Sequence, residues 1–208
     1  MKKVVIAATA AASLVGCATS SINYTPPARL PIVNSATIDQ PFDTVWDRLV
    51  KNLSSDFFII NNIDKASRLI NVSFSSQRPS EYVDCGRSDR EFNGPQGKQN
   101  YSYNAADSSR FTTTLANGVP VNVFRATRLE GRTNIYVAPE GSGTLITVNT
   151  KYVINLTMTG ATLDGKPAGS QNFVWDFSTK EPYNSNDADP VLCNARGTIE
   201  SRVLGYAK

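Results

Sequence analysis

The sequence predicts an α+β fold: an antiparallel β-sheet packed by one N-terminal helix and a short C-terminal helix. Three observations support this class. Apolar residues recur at helical spacing in residues 42–53, β-branched residues dominate residues 144–159, and helical spacing returns in residues 199–206. A helix, a hairpin, several antiparallel strands and a terminal helix, in that order, are typical of an α+β sandwich.

The N-terminal helix is predicted from the segment QPFDTVWDRLVKNLSSD. Its apolar side chains fall on one helical face. They are Phe42, Val45, Trp46, Leu49 and Leu53. Asp39 or Gln40 can cap the first turn, and Pro41 suits that turn because the amide hydrogen it lacks would have no helical partner. We therefore expect this face, with Trp46, to pack into the core.

A β-hairpin is predicted directly after this helix. Residues 57–60 and 69–74 are rich in apolar side chains, and the polar segment 64–67 between them is typical of a turn. The helix and this hairpin together form the clearest local pattern in the chain.

Further strands are predicted in the second half of the chain. The candidates are residues 119–129, 132–137, 144–159 and 171–178. In the longest of them, Ile146, Val148 and Tyr152 share one face of the strand, and residues such as Asn149 and Lys151 share the other. This alternation indicates a sheet with one buried face and one wetter face.

Residues 86–110 are polar and have no hydrophobic period, so we expect a long polar loop there. Tyr101 and Tyr103 within it are candidate partner-binding residues. Packing of these two rings on the edge of the domain is the alternative.

The last residues of the chain predict the short C-terminal helix. Ile199, Val203 and Tyr206 have helical spacing, although Gly205 weakens the helix. We expect this helix to dock on the sheet.

One segment resembles a known family. PFDTVWDRLVKNLSSDFFIINNIDKASRLINVSFSS, residues 41–76, is similar to the helix-grip domains of BamC-type outer-membrane lipoproteins. The resemblance is architectural and implies a helix packed on a β-sheet. It implies no site residues, because one fold serves many functions.

The N-terminus predicts export and lipidation. Lys2 and Lys3 precede an uncharged apolar run, residues 4–16, which is typical of a signal peptide. The run ends Leu14-Val15-Gly16-Cys17 and resembles the bacterial lipobox. This resemblance implies that residues 1–16 are removed and that Cys17 receives a diacylglyceryl thioether and an acylated amine, palmitate being one such acyl group.

An acylated Cys17 would anchor the protein in the cell envelope, since two or more acyl chains hold a protein stably on a membrane. Ala18 follows where an Asp tends to retain lipoproteins at the inner membrane, so we expect the outer membrane, facing the periplasm. Residues 17–34 include three prolines and predict a lipidated cysteine followed by a flexible tether. Residues 35–208 are then expected to form a single domain.

If Cys17 is lipidated, Cys85 and Cys193 are the two cysteines that remain. Exported compartments are oxidising, so a disulfide between them is expected. Two free thiols are the alternative.

Composition excludes several functions. The chain has no histidine, which removes Ser-His-Asp and Cys-His catalysis and histidine zinc sites. The formal net charge is +3, and removal of Lys2 and Lys3 with residues 1–16 leaves 19 Lys and Arg against 18 Asp and Glu. Because this balance provides no basic footprint, we expect no nucleic-acid partner, and we expect no cofactor and no metal.

Three functions follow from these observations. We expect a membrane-anchored envelope lipoprotein that is a non-enzymatic structural or assembly component and binds a protein partner. The alternative is a lipoprotein that binds a glycan or small molecule, with Trp175 as a further candidate. The third function is a histidine-independent hydrolase with carboxylates from Asp84, Asp89 and Glu91 or from Asp187 and Asp189.

Overall fold

The described part of the chain is mostly antiparallel β-structure with two α-helices. A computed structural model describes residues 18–185 and 191–208. The predicted signal peptide and Cys17 lie outside the described residues. Within the part of the chain that is described, no helix combines the length and apolar character needed to cross a membrane.

The elements follow one another in short steps along the chain. The helices are α1 (Phe42–Ser55) and α2 (Thr198–Tyr206). The strands are β1 (Thr19–Thr25), β2 (Ser35–Ile38), β3 (Ile59–Asp64), β4 (Leu69–Ser76), β5 (Val83–Asp84), β6 (Arg87–Gly94), β7 (Gly97–Asn104), β8 (Ser109–Thr114), β9 (Pro120–Glu140), β10 (Gly143–Thr162), β11 (Pro167–Ser178), β12 (Tyr183–Asn184) and β13 (Leu192–Ala195).

The strands form one large sheet and two small ones. The large sheet has the order β11-β10-β9-β4-β3, and β2 and β8 add to it beside β10 and β9. A three-stranded sheet has the order β1-β6-β7, and β12, β13 and β5 form the third sheet.

The β9–β10 hairpin is the axis of the molecule. The two strands pair from Glu140 opposite Gly143, beside the turn, to Val121 opposite Thr162. At roughly 3.3 Å per residue this hairpin is about 65 Å long. Odd-numbered residues of β9 and even-numbered residues of β10 form its buried inner face, and the alternate residues form its wetter outer face. The predicted alternation in residues 144–159 is therefore confirmed.

Two halves of this hairpin have different neighbours. The turn end comprises residues 129–140 and 143–154, where β4 pairs with β9 and β2 pairs with β10. The far end comprises residues 120–128 and 155–162, where β8 pairs with β9 and β11 pairs with β10; the β11 pairing continues into the turn end as far as Lys151.

Both helices pack on the inner face of the turn end. The predicted N-terminal helix is confirmed as α1, and its apolar face is buried through Val45, Trp46, Leu49 and Leu53. The predicted C-terminal helix is confirmed as α2, and it contacts both α1 and β10. The predicted hairpin after α1 is confirmed as β3 and β4.

Gly131 explains why β9 continues where the sequence suggested two strands. Phe74 of β4 lies opposite Gly131, and a Cβ at that glycine would fall 2.1 Å from Phe74 Cε1. The phenyl ring therefore occupies the space of the missing side chain, and the strand runs on without a break.

Two sequence predictions about loops are wrong. Residues 86–110 contain the β6–β7 hairpin and the start of β8, because backbone pairing and a cleft-facing row of polar side chains replace the hydrophobic period. Residues 17–34 are also not a tether throughout. Thr19–Thr25 is strand β1, which pairs along β6, and Tyr24 of this strand donates a hydrogen bond to the Cys85 carbonyl at 2.9 Å.

The predicted disulfide is confirmed. Cys85 and Cys193 are bonded and fully buried. Cys85 directly precedes the β6–β7 hairpin and Cys193 lies in β13, shortly before α2. The bond therefore joins the start of the β6–β7 hairpin to the segment that leads into the C-terminal helix.

Candidate functional site

A cleft of about 530 Å³ opens between the β1-β6-β7 sheet and the inner face of the far end of the β9–β10 hairpin. Its volume lies in the range of roughly 300–1,000 Å³ that small-molecule sites occupy. The residues that line it are Ile22, Tyr24, Ser88, Arg90, Tyr103, Ala105, Arg125, Leu156, Met158, Phe173, Trp175, Ser185 and Val191.

The β1-β6-β7 sheet forms the upper wall of the cleft, and the register of its strands shows which side chains share that wall. Ile22 of β1 lies opposite Arg90 of β6. Tyr24, Ser88 and Tyr103 form the next row across β1, β6 and β7. Residues that lie opposite one another in an antiparallel sheet share a face, so both rows point the same way.

The far end of the large sheet forms the lower wall. Arg125 lies opposite Met158, and Leu156 lies opposite Phe173 on the next inward row. Trp175 extends this apolar surface towards the helices and is almost fully buried. The lower wall is therefore apolar except for the guanidinium of Arg125.

Arg125 is buried, with only 5% of it exposed, and hydrogen bonds hold its side chain in place. Its Nη1 donates to the Asp107 carbonyl at 3.0 Å and its Nη2 donates to the Ala105 carbonyl at 2.8 Å. The guanidinium carbon lies 5.2 Å from the centre of the Tyr103 ring, within cation–π range. These contacts fix the side chain beneath the β6–β7 hairpin.

Burial lowers the pKa of the Arg125 guanidinium, and the neighbouring Arg90 cation lowers the pKa further, while Tyr103 and the Asp107 carboxylate act in the opposite direction. An arginine nevertheless stays protonated in a protein. The cleft therefore contains a buried positive charge.

Arg90 supplies a second positive charge beside the first. Its Nε donates to the Tyr103 hydroxyl at 2.8 Å. Its guanidinium carbon lies 4.1 Å from the centre of the Phe111 ring. Tyr103 thus contacts both cations, one through its ring and one through its hydroxyl.

These two arginines differ from other basic residues of the same hairpin. Arg87 pairs with Asp89 and Lys98 pairs with Glu91, and the two basic residues are exposed while the two acidic ones are half-buried. Among residues 18–185 and 191–208, neither Arg90 nor Arg125 has a carboxylate partner. The cleft is consequently electropositive and apolar at once, which suits a ligand with one anionic group.

The cleft continues past two of its lining residues. Arg90 and Met158 also border a neighbouring cavity of about 350 Å³ towards the tips of β9 and β10. Phe111 lies in that cavity and in a third one of about 510 Å³. A ligand longer than the cleft therefore has room to extend beyond Arg90.

The structure separates the aromatic residues that the sequence singled out. Tyr103 and Trp175 line the cleft together, whereas Tyr101 lines the third cavity. Both tyrosines are half-buried on β7 and pack on Phe111, with ring centres 6.4 Å from it for Tyr101 and 5.7 Å for Tyr103. The alternative interpretation, rings packed on the domain, describes this geometry better than an exposed contact pair.

Three of the candidate hydrolase carboxylates are engaged separately, and the other two, Asp187 and Asp189, lie outside the described residues. Asp84 pairs with Arg196, and Asp89 and Glu91 form the two pairs described above. Hydrogen bonds from Ser102 and Lys98 respectively hold the pKa values of Asp89 and Glu91 below their usual range. Within the described ranges, no group of three or more Cys, Asp and Glu side chains has the arrangement of a metal site.

Sequence reasoning missed both arginines of the cleft. An arginine within a β-pattern is normally assigned to the solvent face. The available signal was the alternation along the strand. Arg125 is an even number of residues from the buried Val121 and Leu129, so it lies on the same face of β9 as they do.

Comparisons with protein-family models, with curated proteins and with solved structures give no match to this chain. The ligand of the cleft is therefore inferred from the residues that line it.

Proposed function

We propose that this chain is a lipid-anchored envelope protein without enzymatic activity, and that its cleft binds a small, largely apolar molecule. The observation that carries the proposal is the preformed space of about 530 Å³ between two sheets, lined mainly by apolar and aromatic side chains. The absence of histidine from the chain and the separate ion pairs of the candidate carboxylates support a binding role over catalysis.

The envelope part of the proposal rests on the lipobox-like stretch that ends at Cys17. A Cys17→Ser variant has no thiol to acylate and is expected to move from the membrane fraction to the soluble fraction of lysed cells. Ser21→Ala, at a nearby exposed position, is the matched control and is expected to stay with membranes. Retention of Cys17→Ser on membranes would contradict lipid anchoring.

The binding part is tested with a neutral fluorescent probe, N-phenyl-1-naphthylamine, whose emission rises in apolar surroundings. The Cys17→Ser protein, purified without detergent, is expected to bind it. Met158→Trp places a bulky indole ring in the cleft and should abolish binding. Thr157→Trp adds the same ring to the outer face and should leave binding unchanged. Equal binding by both tryptophan variants would contradict a site in this cleft.

A second candidate function is binding of a protein partner, as a structural or assembly component. It is favoured by an exposed apolar pair on the outer face, Leu69 opposite Tyr136, which are 43% and 39% exposed. Next to them β3 is the end strand of the large sheet, and its Ile59 is 66% exposed. A free strand edge beside apolar side chains is suited to β-strand addition by a partner.

This second candidate is tested by photocrosslinking in intact cells. A photoreactive residue in place of Tyr136 is expected to capture one discrete partner, whereas the same residue in place of Thr157, on the outer face of the far end, is expected to capture none. Identical patterns from both positions would argue against a partner surface at the edge of β3.

A further inference from the structure

We propose that the ligand of the cleft is an amphiphile with a single oxyanion headgroup, a carboxylate or a phosphate, and that Arg90 and Arg125 bind this headgroup. The inference rests on the proposed function, since it names the class of ligand for the same cleft. Its basis is the convergence of two guanidinium groups on Tyr103 inside an otherwise apolar space.

The first argument is the cost of burying charge. A buried cation without an anionic partner is unfavourable, and proteins normally pair it or neutralise it. Here two cations approach the same tyrosine, and among the described residues neither forms a salt bridge, since the Asp107 carboxylate acts on Arg125 only from beyond salt-bridge distance. An oxyanion between them would offset both the desolvation and the mutual repulsion.

The second argument is the supply of hydrogen-bond donors. The Nη1 and Nη2 groups of Arg90 donate to no residue in the described ranges, because its one hydrogen bond uses Nε. A guanidinium edge of this kind can bind an oxyanion through two parallel hydrogen bonds. Ser88 lines the same wall with only 6% exposure, and its hydroxyl has no partner among residues 18–185 and 191–208.

The third argument is preorganisation. Two carbonyl oxygens already hold the Arg125 guanidinium, and the Phe111 ring lies against that of Arg90. Little side-chain entropy is then lost when a headgroup binds. Such fixed cations distinguish a binding site from flexible basic side chains on a surface.

The fourth argument is the position of the apolar surface. From Arg125 the lower wall continues row by row through Leu156 and Phe173 to Trp175. A headgroup at the arginines therefore directs an apolar body along this wall. The cavity beyond Arg90 provides room for a longer chain in the other direction.

The experiment measures displacement of N-phenyl-1-naphthylamine from the Cys17→Ser protein by four twelve-carbon amphiphiles below their micellar concentrations. They are laurate, dodecyl phosphate, dodecanol and dodecyltrimethylammonium. Because a hydrogen-bonded charge is worth about 1.5–3 kcal/mol, at least one of the two anions is expected to bind about tenfold or more tightly than dodecanol. The cationic amphiphile should bind more weakly than dodecanol.

Variants locate this preference. Arg90→Gln is expected to reduce the advantage of the anions over dodecanol, measured as a ratio within the same variant, to less than about threefold. Arg125→Lys should weaken anion binding in the same way, and it keeps a positive charge beneath the hairpin. Arg87→Gln is the matched control, because Arg87 lies on the same strand but on the opposite face, and it should retain the full preference.

The outcomes separate the two proposals. If dodecanol binds as tightly as both anions, or if Arg90→Gln keeps the full preference, the oxyanion site is wrong while the apolar cleft remains a binding site. If the neutral probe itself does not bind, the proposed function fails. Tighter binding of laurate identifies a carboxylate source, and tighter binding of dodecyl phosphate identifies a phosphate source; both results support the inference.

Discussion

The turn end and the far end of the β9–β10 hairpin carry opposite kinds of interface on one face of one sheet. At the turn end, two helices cover the inner face, and Leu49, Ile135 and Ile146 are completely buried. At the far end, a second sheet covers the inner face and leaves a cleft that contains Arg125. The strands themselves alternate in the same way throughout, so the covering layer makes the difference.

Physical chemistry explains why one layer closes the space and the other does not. Helix side chains project in several directions and interdigitate with a sheet, whereas two sheets pack about 10 Å apart and need large residues on both inner faces. The upper wall has a serine, Ser88, at its centre, and Arg90 turns its guanidinium towards Phe111. We infer that the turn end provides stability and that the far end gives up packing for binding.

The largest expected difference between the two ends is in core packing. Leu49→Ala removes a completely buried side chain of α1 and is expected to lower the free energy of unfolding by about 2–5 kcal/mol. Met158 already borders the open cleft, so Met158→Ala should lower the free energy of unfolding by less than about 1 kcal/mol. Urea unfolding followed by circular dichroism measures both. Equal losses would show that the far end is as tightly packed as the turn end.

Removal of the disulfide is expected to give the next largest loss of stability. This bond links the sheet that covers the far end to the segment that leads into α2 at the turn end. The Cys85→Ala and Cys193→Ala double variant is expected to lose about 2–4 kcal/mol, since the bond closes a long loop of the unfolded chain. Hydrogen exchange should quicken more in β6 and β7 than in α1, because Cys85 directly precedes that hairpin. Reduction of the unaltered protein is the control and should reproduce the pattern. Loss of protection confined to α1 would contradict this assignment.

The turn end is also the region that sequence reasoning predicts best. Helix α1 follows from the spacing of five apolar residues, and the β3–β4 turn follows from Asp64, whose carboxylate accepts hydrogen bonds from the Ala66 and Ser67 amides. These signals are local, so a single sequence contains them. The disulfide follows from counting cysteines once Cys17 is assigned to lipidation.

The cleft could not be predicted in the same way, because its walls meet only through long-range pairing. The sequence predicts a loop at β6 because Ser88 and Arg90 occupy the inward positions that apolar residues would occupy in an ordinary strand. Tyr101 and Tyr103 alternate two residues apart, which is compatible with a strand, but nothing local pairs them with Phe111. Four of the cleft-lining residues, Ser88, Arg90, Tyr103 and Ala105, lie in the segment that lacks a hydrophobic period.

The two ends also differ in how they accommodate buried charge. Glu200 of α2 is completely buried at the turn end, where its carboxylate accepts hydrogen bonds from Tyr152 at 3.3 Å and from Thr179 at 2.6 Å. Tyr152→Phe removes one donor without opening a large cavity, and it is expected to cost about 1–3 kcal/mol because Glu200 loses a partner. Urea unfolding measures the loss.

A matched pair of variants tests that explanation. If the loss comes from the Tyr152–Glu200 contact, Tyr152→Phe should cost less in a Glu200→Gln background than alone, so that the two changes are not additive. Additive losses would show that the hydroxyl acts independently of Glu200. At the far end two backbone carbonyls hold the buried guanidinium, so Arg125→Met should cost at least as much as Tyr152→Phe, because the Ala105 and Asp107 carbonyls both lose a donor.

The smallest expected effect is the pH dependence that Asp56 contributes at the turn end. Burial acts to raise the pKa of Asp56, but hydrogen bonds from Tyr206, the Phe57 amide and Arg202 outweigh it and hold this pKa below its usual value. A lowered folded-state pKa stabilises the fold above the unfolded pKa of about 3.9, and this contribution is lost as the pH falls through the folded value.

Asp56→Asn is therefore expected to be less stable than the parent protein by about 0.5–1 kcal/mol at pH 7, because Asp56 joins the end of α1 to Arg202 and Tyr206 of α2. The difference should shrink below about pH 4 and vanish once the carboxyl group is protonated in both states. Urea unfolding at a series of pH values measures it. Binding of the neutral probe in the far-end cleft should be the same in both proteins, and a parallel loss of probe binding would mean that the two ends are coupled.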